Sequence, residues 1–227
     1  MSATEVEIIL LSLQVALLAI TVALPLAFAV AWLLARKEFA GKSLLQAVVT
    51  LPLVVPPVVT GFALLVWFGN QGWAGRFFQT VFGVEFAFRW TGAALAAGVM
   101  AFPLLVRPMR LSIEAVDRGL EEAAFTLGAS RVSAFLTVTL PLVMPGVLAG
   151  AILGFAKALG EFGATITFVS NIPGETQTLS LAIYAFLQSP AGEAGALRLV
   201  IVSVMLAIGA VLLSEWLQRR MMRGREE

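Results

Sequence analysis

The sequence predicts an all-α integral membrane protein with five transmembrane helices, its N-terminus outside and its C-terminus in the cytoplasm. Three observations predict it: a composition too apolar for water, long charge-free runs, and an uneven distribution of basic residues. Of 227 residues, 59% are hydrophobic and 13% are charged, whereas soluble domains carry about 25% charged residues. The chain has no cysteine and no histidine. Disulfides, thiolate nucleophiles, cysteine metal sites and the commonest general base are therefore excluded. An intramembrane enzyme would lack its usual catalytic groups.

No charge interrupts Ile8 to Ala35, Ser43 to Gly75, Trp90 to Val106, Val132 to Ala156 or Leu199 to Ser214. A spanning helix needs about 20 apolar residues. Extending the runs to plausible ends gives spans of about 8–35, 45–68, 90–108, 138–160 and 196–217 within one domain, 8–217. Between them lie a loop, 109–137, and a segment, 161–195, with a basic tail at 218–227. The first run follows an acidic flank with Glu5 and Glu7 and is long. It reads as a retained helix rather than a removable signal peptide. Trp32, Trp67, Trp73, Trp90 and Trp216 fall near predicted span ends, where amphipathic rings sit at the interface.

Orientation follows from the basic residues. With the N-terminus outside, Arg36, Lys37, Lys42, Arg107, Arg110, Arg118, Arg131, Arg219, Arg220, Arg223 and Arg225 lie inside, eleven in all. Only Arg76, Arg89 and Arg198, three residues, lie outside, and Lys157 falls within the fourth span. That bias satisfies the positive-inside rule and puts loop 109–137 in the cytoplasm.

Within that loop lies Glu121-Glu122-Ala123-Ala124-Phe125-Thr126-Leu127-Gly128. Asp117, Glu121 and Glu122 favour the start of a helix running to about Leu127, and Gly128 suits a left-handed stop. Ala123, Ala124 and Gly128 leave a bare surface that another backbone can approach. After nine residues comes Val138-Thr139-Leu140-Pro141.

Pro52, Pro56 and Pro57 interrupt the second span and remove amide donors from it. A static kink and a flexible element in gating are both open. Lys157 and Glu161 are spaced i, i+4, so they share a helix face and can pair. Ionisable groups at membrane depth face a bundle interior or water. A self-neutralising pair is one reading. In the other, Lys157 assists an anion while Glu161, Phe162, Gly163 and Thr165, with Pro56 and Pro57, line a gate. Leu179 to Leu187 is apolar but too short to cross, and reads as a re-entrant or interfacial helix. Asn171 to Gly174 and Ser189 to Gly192 bracket it as turns. This segment is either a lid or docking surface, or a packed surface loop.

The spacing Glu122-Ala123-Ala124, Gly128, Leu140-Pro141 resembles the signature loop of binding-protein-dependent ABC importer permeases of type I. Leu51 to Gly61, Ala123 to Gly128 and Leu159 to Thr176 resemble the molybdate permeases of that family, and sulfate and thiosulfate permeases more loosely. Val138 stands where the family motif usually has isoleucine, and the extra N-terminal helix of six-span members is not expected. The resemblance implies an ABC importer transmembrane domain in the bacterial inner membrane, N-terminus periplasmic, paired with a second copy of itself. Partners would be two cytoplasmic ATPase subunits and a periplasmic molybdate-binding protein. Glu121, Glu122, Ala123, Ala124, Gly128, Leu140 and Pro141 would couple this chain to the ATPase. No Gly-rich phosphate loop with its lysine is present, so no catalytic residue and no cofactor is assigned here. ATP and Mg would be handled by the partner subunit. Tungstate or sulfate is the alternative cargo. A stand-alone secondary transporter or channel is the alternative class, with Glu161 its only intramembrane acid and no internal repeat in its favour.

Overall fold

The computed structural model describes residues 2–190 and 192–223, and these form α-helices joined by short turns, with one π-helical turn. The first helix, α1 (Ala3–Arg36), begins at Ser2, which caps it. The Glu5 amide donates to Ser2 Oγ at 3.2 Å, and the Ser2 amide donates to Glu5 Oε2 at 2.8 Å. That reciprocal box satisfies two of the amides that a helix start leaves open. At 34 residues α1 is about 50 Å long, well beyond an apolar core of about 30 Å. It therefore defines two ends of the bundle, a Glu5 end and an Arg36 end.

Among the described residues, four helical stretches are long and apolar enough to cross a membrane: α1, α5 (Trp90–Glu114), the run from Arg131 to Leu159, and Glu193–Leu213 within α11 (Glu193–Arg223). The predicted second span is not one straight helix. It breaks into α2 (Lys42–Val54) and α3 (Pro57–Phe68), whose axes differ by 114°. Val55 turns to extended backbone, Pro56 caps the next helix, and Pro57 takes its first position, where a missing amide costs nothing. Arg110 donates to Gln46 at 2.9 Å, fixing α2 at the Arg36 end. The Phe68 ring packs edge-on against Phe86, just ahead of α5, at 5.5 Å between centroids. The bent pair thus touches both ends of the bundle, and counted as one span it brings the crossings to five.

Small residues set the packing. Ala16, Ala19, Ala23, Ala27 and Ala31 of α1 are buried, as are Ala93, Ala94, Ala97 and Ala101 of α5. Lipid tails are as apolar as leucine, so helices associate through close backbone approach at such small side chains. Gly146, Gly150 and Gly154, four apart on α8 (Leu140–Leu159), face α5 in the same way. A methyl at Gly150 would lie 2.9 Å from the Leu105 carbonyl oxygen, and one at Gly154 2.7 Å from Leu105 Cδ2.

Helix ends outrun the apolar runs. Helix α5 continues past 108 to Glu114, helped by an Arg110–Glu114 ion pair at 2.7 Å. The fourth long helix starts at Arg131 as α7 (Arg131–Ala134) and passes through the π-helical turn Phe135–Thr139 into α8. Loop 109–137 is thereby reduced to residues 115–130, with α6 (Arg118–Thr126) inside it. A proline ring clashes with the carbonyl four residues back, and the widened turn ahead of Pro141 relieves that conflict. The basic tail is helical as far as Arg223, while 224–227, including Arg225, lie outside the described residues. Between α8 and α11 come α9 (Gly163–Val169) and α10 (Leu179–Leu187), the latter with the bounds read from the sequence. Its amide at Leu179 donates to Ser12 Oγ of α1 at 2.7 Å. The turn ahead of α10 contains Gly174 at φ 78°. In the turn after α10, Ala191 lies outside the described residues.

Candidate functional site: a docking helix and a proline–glycine break

Helix α6 stands at the Arg36 end. Asp117 caps it, its Oδ1 accepting from the Gly119 amide at 2.9 Å. At the other end Gly128 takes φ 87°. There the Gly128 amide reaches the Phe125 carbonyl and the Ala129 amide reaches the Ala124 carbonyl, each at 3.0 Å. The left-handed residue closes the helix by bonding its last carbonyls.

The helix has two faces, and they divide the predicted residues. Glu122 and Ala123 are exposed with Gly128, beside the exposed apolar side chains Leu120, Phe125 and Leu127. Glu121 and Ala124 are partly covered. Glu121 turns toward the bundle, where its Oε1 accepts from Arg36 at 2.7 Å and from the Thr139 hydroxyl at 2.7 Å. Leu140 is half-buried, and Pro141 is exposed on the turn beyond. The outward face of α6 thus carries two small residues, one carboxylate and three apolar side chains. Leu120, Phe125 and Leu127 were not selected from the sequence, although their spacing around Glu122 was readable there.

The second cluster forms at the break in the second crossing. A methyl group on Gly163 would lie 2.7 Å from Pro57 Cβ, and one on Gly61 would lie 2.4 Å from the Ala164 carbonyl oxygen. The kinked α2–α3 pair therefore rests backbone to backbone on the start of α9. Lys157 Nζ donates to Glu161 Oε2 at 2.5 Å, while Glu161 Oε1 accepts from the Ala164 amide at 3.0 Å. Glu161 has 1% of its side chain exposed and Lys157 30%. Thr165 is buried, and the Phe162 ring packs on Tyr184 with centroids 5.0 Å apart. The structure thus brings together Pro57, Lys157, Glu161, Phe162 and Gly163, with Pro56 exposed at the hinge.

That geometry predicts an asymmetry. Lys157→Met strands a buried carboxylate and is expected to cost about 3 kcal/mol, since breaking a buried pair from one side leaves an uncompensated charge. Glu161→Gln keeps an acceptor for Ala164 and leaves Lys157 partly hydrated, so it should cost clearly less. Thermal unfolding of the two variants in detergent measures the difference; equal losses would contradict the pairing.

The chain is thus a helical bundle whose apolar helices are long enough to cross a membrane, with a short helix presented at one end and a bent helix pair packed on the start of α9. The chain belongs to the family of binding-protein-dependent transport system inner membrane components, whose model matches residues 15–223. It is 56% identical over 219 residues to the molybdenum transport system permease protein ModB of Haemophilus influenzae, covering 96% of each chain. To ModB of Escherichia coli K12 it is 55% identical over 215 residues, covering 95% of this chain and 94% of that one. The sulfate transport system permease protein CysT of Salmonella typhimurium is 38% identical over 186 residues, covering 81% of this chain and 65% of that one. Among solved structures, a bacterial ABC transporter importing alginate superposes with a TM-score of 0.75 at 18% identity, covering 97% of this chain and 80% of that one. At that identity the likeness concerns the fold alone.

Proposed function

We propose that this chain is the permease subunit of an ATP-driven importer that carries molybdate across the inner membrane by alternating access. The observation that carries the reading is the 55–56% identity to two molybdenum permeases along nearly the whole chain, against 38% to the sulfate permease. The Arg36 end is placed in the cytoplasm on the eleven-to-three distribution of basic residues. There the exposed face of α6, with Glu122, Ala123 and Gly128, docks an ATPase subunit that hydrolyses ATP with Mg. The chain itself supplies no nucleotide site. Two copies enclose the path, and the Glu5 end receives a periplasmic molybdate-binding protein.

Lys157, held by Glu161 beside the Pro56–Pro57 hinge, is assigned to the path as a cation passed by the oxyanion. Gly163, Phe162 and Thr165 form the packing against which the hinge moves. Alternating access needs an element with two arrangements, and a break at two prolines against glycine is the place in this fold where one helix can change its angle.

The test is uptake into proteoliposomes holding this chain, its ATPase partner and loaded binding protein. Molybdate should accumulate only with ATP, and excess sulfate should not compete. Uptake that persists without ATP or ATPase would establish a stand-alone transporter instead. Competition by sulfate would favour the sulfate permease reading that the CysT relative suggests, and tungstate serves as the third substrate.

A further inference from the structure

At the Arg36 end, three elements that carry no common motif converge on one carboxylate. Glu121 of α6 accepts from Arg36 at the end of α1 and from Thr139 at the end of the π-helical turn, both at 2.7 Å. Two of those elements, α1 and the π-helical turn, also meet in an apolar contact beside it. The Phe135 ring of that turn packs edge-on against Trp32 of α1 at 5.4 Å between centroids, and Phe28 stacks beyond Trp32 at 6.1 Å. The Arg36 guanidinium lies over the Trp32 ring, 5.4 Å from its centroid. Side chains of Arg36 and Glu121 are only 10% and 22% exposed. Arg36 Nε is buried with no hydrogen-bond partner.

We infer that Glu121 is a positioning residue for energy coupling, the joint through which a movement of the docking helix reaches α1 and α8 together. The inference rests on the reading of α6 as the docking helix. A docked partner grips the outer face, Glu122 and Ala123. That grip moves the bundle only if the inner face is fixed to the spans. The covalent links of α6 are the short turns 115–117 and 127–130, the second of which takes left-handed backbone at Gly128. Glu121 adds the non-covalent tie, with one oxygen holding two spans. A charge-assisted pair of this geometry is directional. Removing the carboxylate leaves the largely buried Arg36 cation without its partner, so the joint slackens rather than re-forming.

Two measurements test this. The chain has no cysteine, so spin labels on Lys37→Cys and Arg118→Cys, in purified full-length chain diluted with unlabelled copies, report the distance between α1 and α6. The distribution should broaden with Glu121→Ala and, to a smaller extent, with Thr139→Val. In proteoliposomes with ATPase and loaded binding protein, Glu121→Ala should still retain the ATPase subunit and hydrolyse ATP. Molybdate moved per ATP should fall about tenfold, within the range of ordinary energetic coupling. Adding Arg36→Ala to Glu121→Ala should lose nothing further, because the two act as one pair. A distance distribution unchanged in Glu121→Ala overturns the inference, as does a wild-type transport-to-ATP ratio. Loss of the ATPase subunit from Glu121→Ala complexes would also overturn it by assigning Glu121 to the docking face. If the wild-type complex itself moves no molybdate, the proposed cargo fails, while the label distances still decide the joint.

Discussion

Replacing Gly61 by valine is expected to abolish transport and to lower stability by about 3 kcal/mol, the upper range for overpacking. Any Cβ at this position would lie 2.4 Å from the Ala164 carbonyl oxygen, 2.9 Å from Ala164 Cα and 2.9 Å from Thr167 Cβ. Two of those three atoms belong to backbone, so no rotamer change makes room. Helix α3 must leave α9, and with it goes the seat of Pro57 on Gly163. Gly61→Ala should already show most of the effect, because the first carbon causes the collision. The contrast is Gly98→Ala in α5, where the nearest atoms lie 3.5 and 3.8 Å away on Ala19. That is ordinary contact distance, and alanine favours the helix by about 1 kcal/mol over glycine. Thermal melts of the two alanine variants should therefore move in opposite directions. A Gly61→Ala protein as stable as wild type would show that α3 does not rest on α9.

Substitution on the exposed face of α6 is expected to do the reverse, removing transport while leaving the fold intact. Glu122 is exposed and, among the described residues, has no hydrogen-bond or ion-pair partner. Glu122→Lys should change stability by no more than about 0.5 kcal/mol, as surface substitutions usually do. It reverses the charge offered to a docking partner. Gly128→Leu acts through the backbone. A Cβ there meets nothing within 4 Å, but φ 87° is left-handed, which costs a branched or bulky residue about 1–2 kcal/mol. The turn reshapes and a leucine enters the docking surface. Both variants should insert normally and give wild-type amounts of purified permease. Both should fail to retain the ATPase subunit on copurification and lose binding-protein-stimulated ATP hydrolysis. Normal stimulation in both would remove α6 from the docking role.

The contrast between Glu122 and Glu121 shows where sequence reading stops. The resemblance implied both acids, adjacent at the start of the helix, as residues that couple the chain to the ATPase. On a helix adjacent residues point about 100° apart, so only one of the two can face outward with Ala123. Which one is decided by Arg36, 85 positions away, and Thr139, 18 positions away. In the sequence Arg36 counted only as a topology charge. In the sequence Gly61 stood only as the end of the Leu51–Gly61 segment of resemblance, with no packing role, since nothing local distinguishes a glycine that touches backbone from Gly98, which has room.

Elements governed by local rules were legible. An apolar run long enough to span does so wherever it stands, because an unsatisfied backbone in lipid is too costly for anything but helix. Helix α10 matched its apolar patch residue for residue, and Lys157 in the last turn of α8 does pair with Glu161, four residues on and just beyond the helix end. The break at Val55–Pro56 was marked by its prolines, but its 114° angle was not. Proline removes a hydrogen bond without choosing a direction; the direction is set by what the second half packs against, here α9.

By itself, then, the sequence determined an apolar helical bundle of up to five crossings, an uneven distribution of basic residues along it, and a short helix closed by Gly128 in the loop before the Arg131–Leu159 helix. Those properties come from bilayer solvation, charge asymmetry and backbone preference, each of which acts within a few residues. Only the tertiary structure decided that Glu121 faces inward, that the second crossing bends onto Gly163, and that the fourth helix begins at Arg131 through a widened turn. These depend on contacts between segments far apart in the chain, where burial and close packing choose among faces that the sequence leaves equivalent.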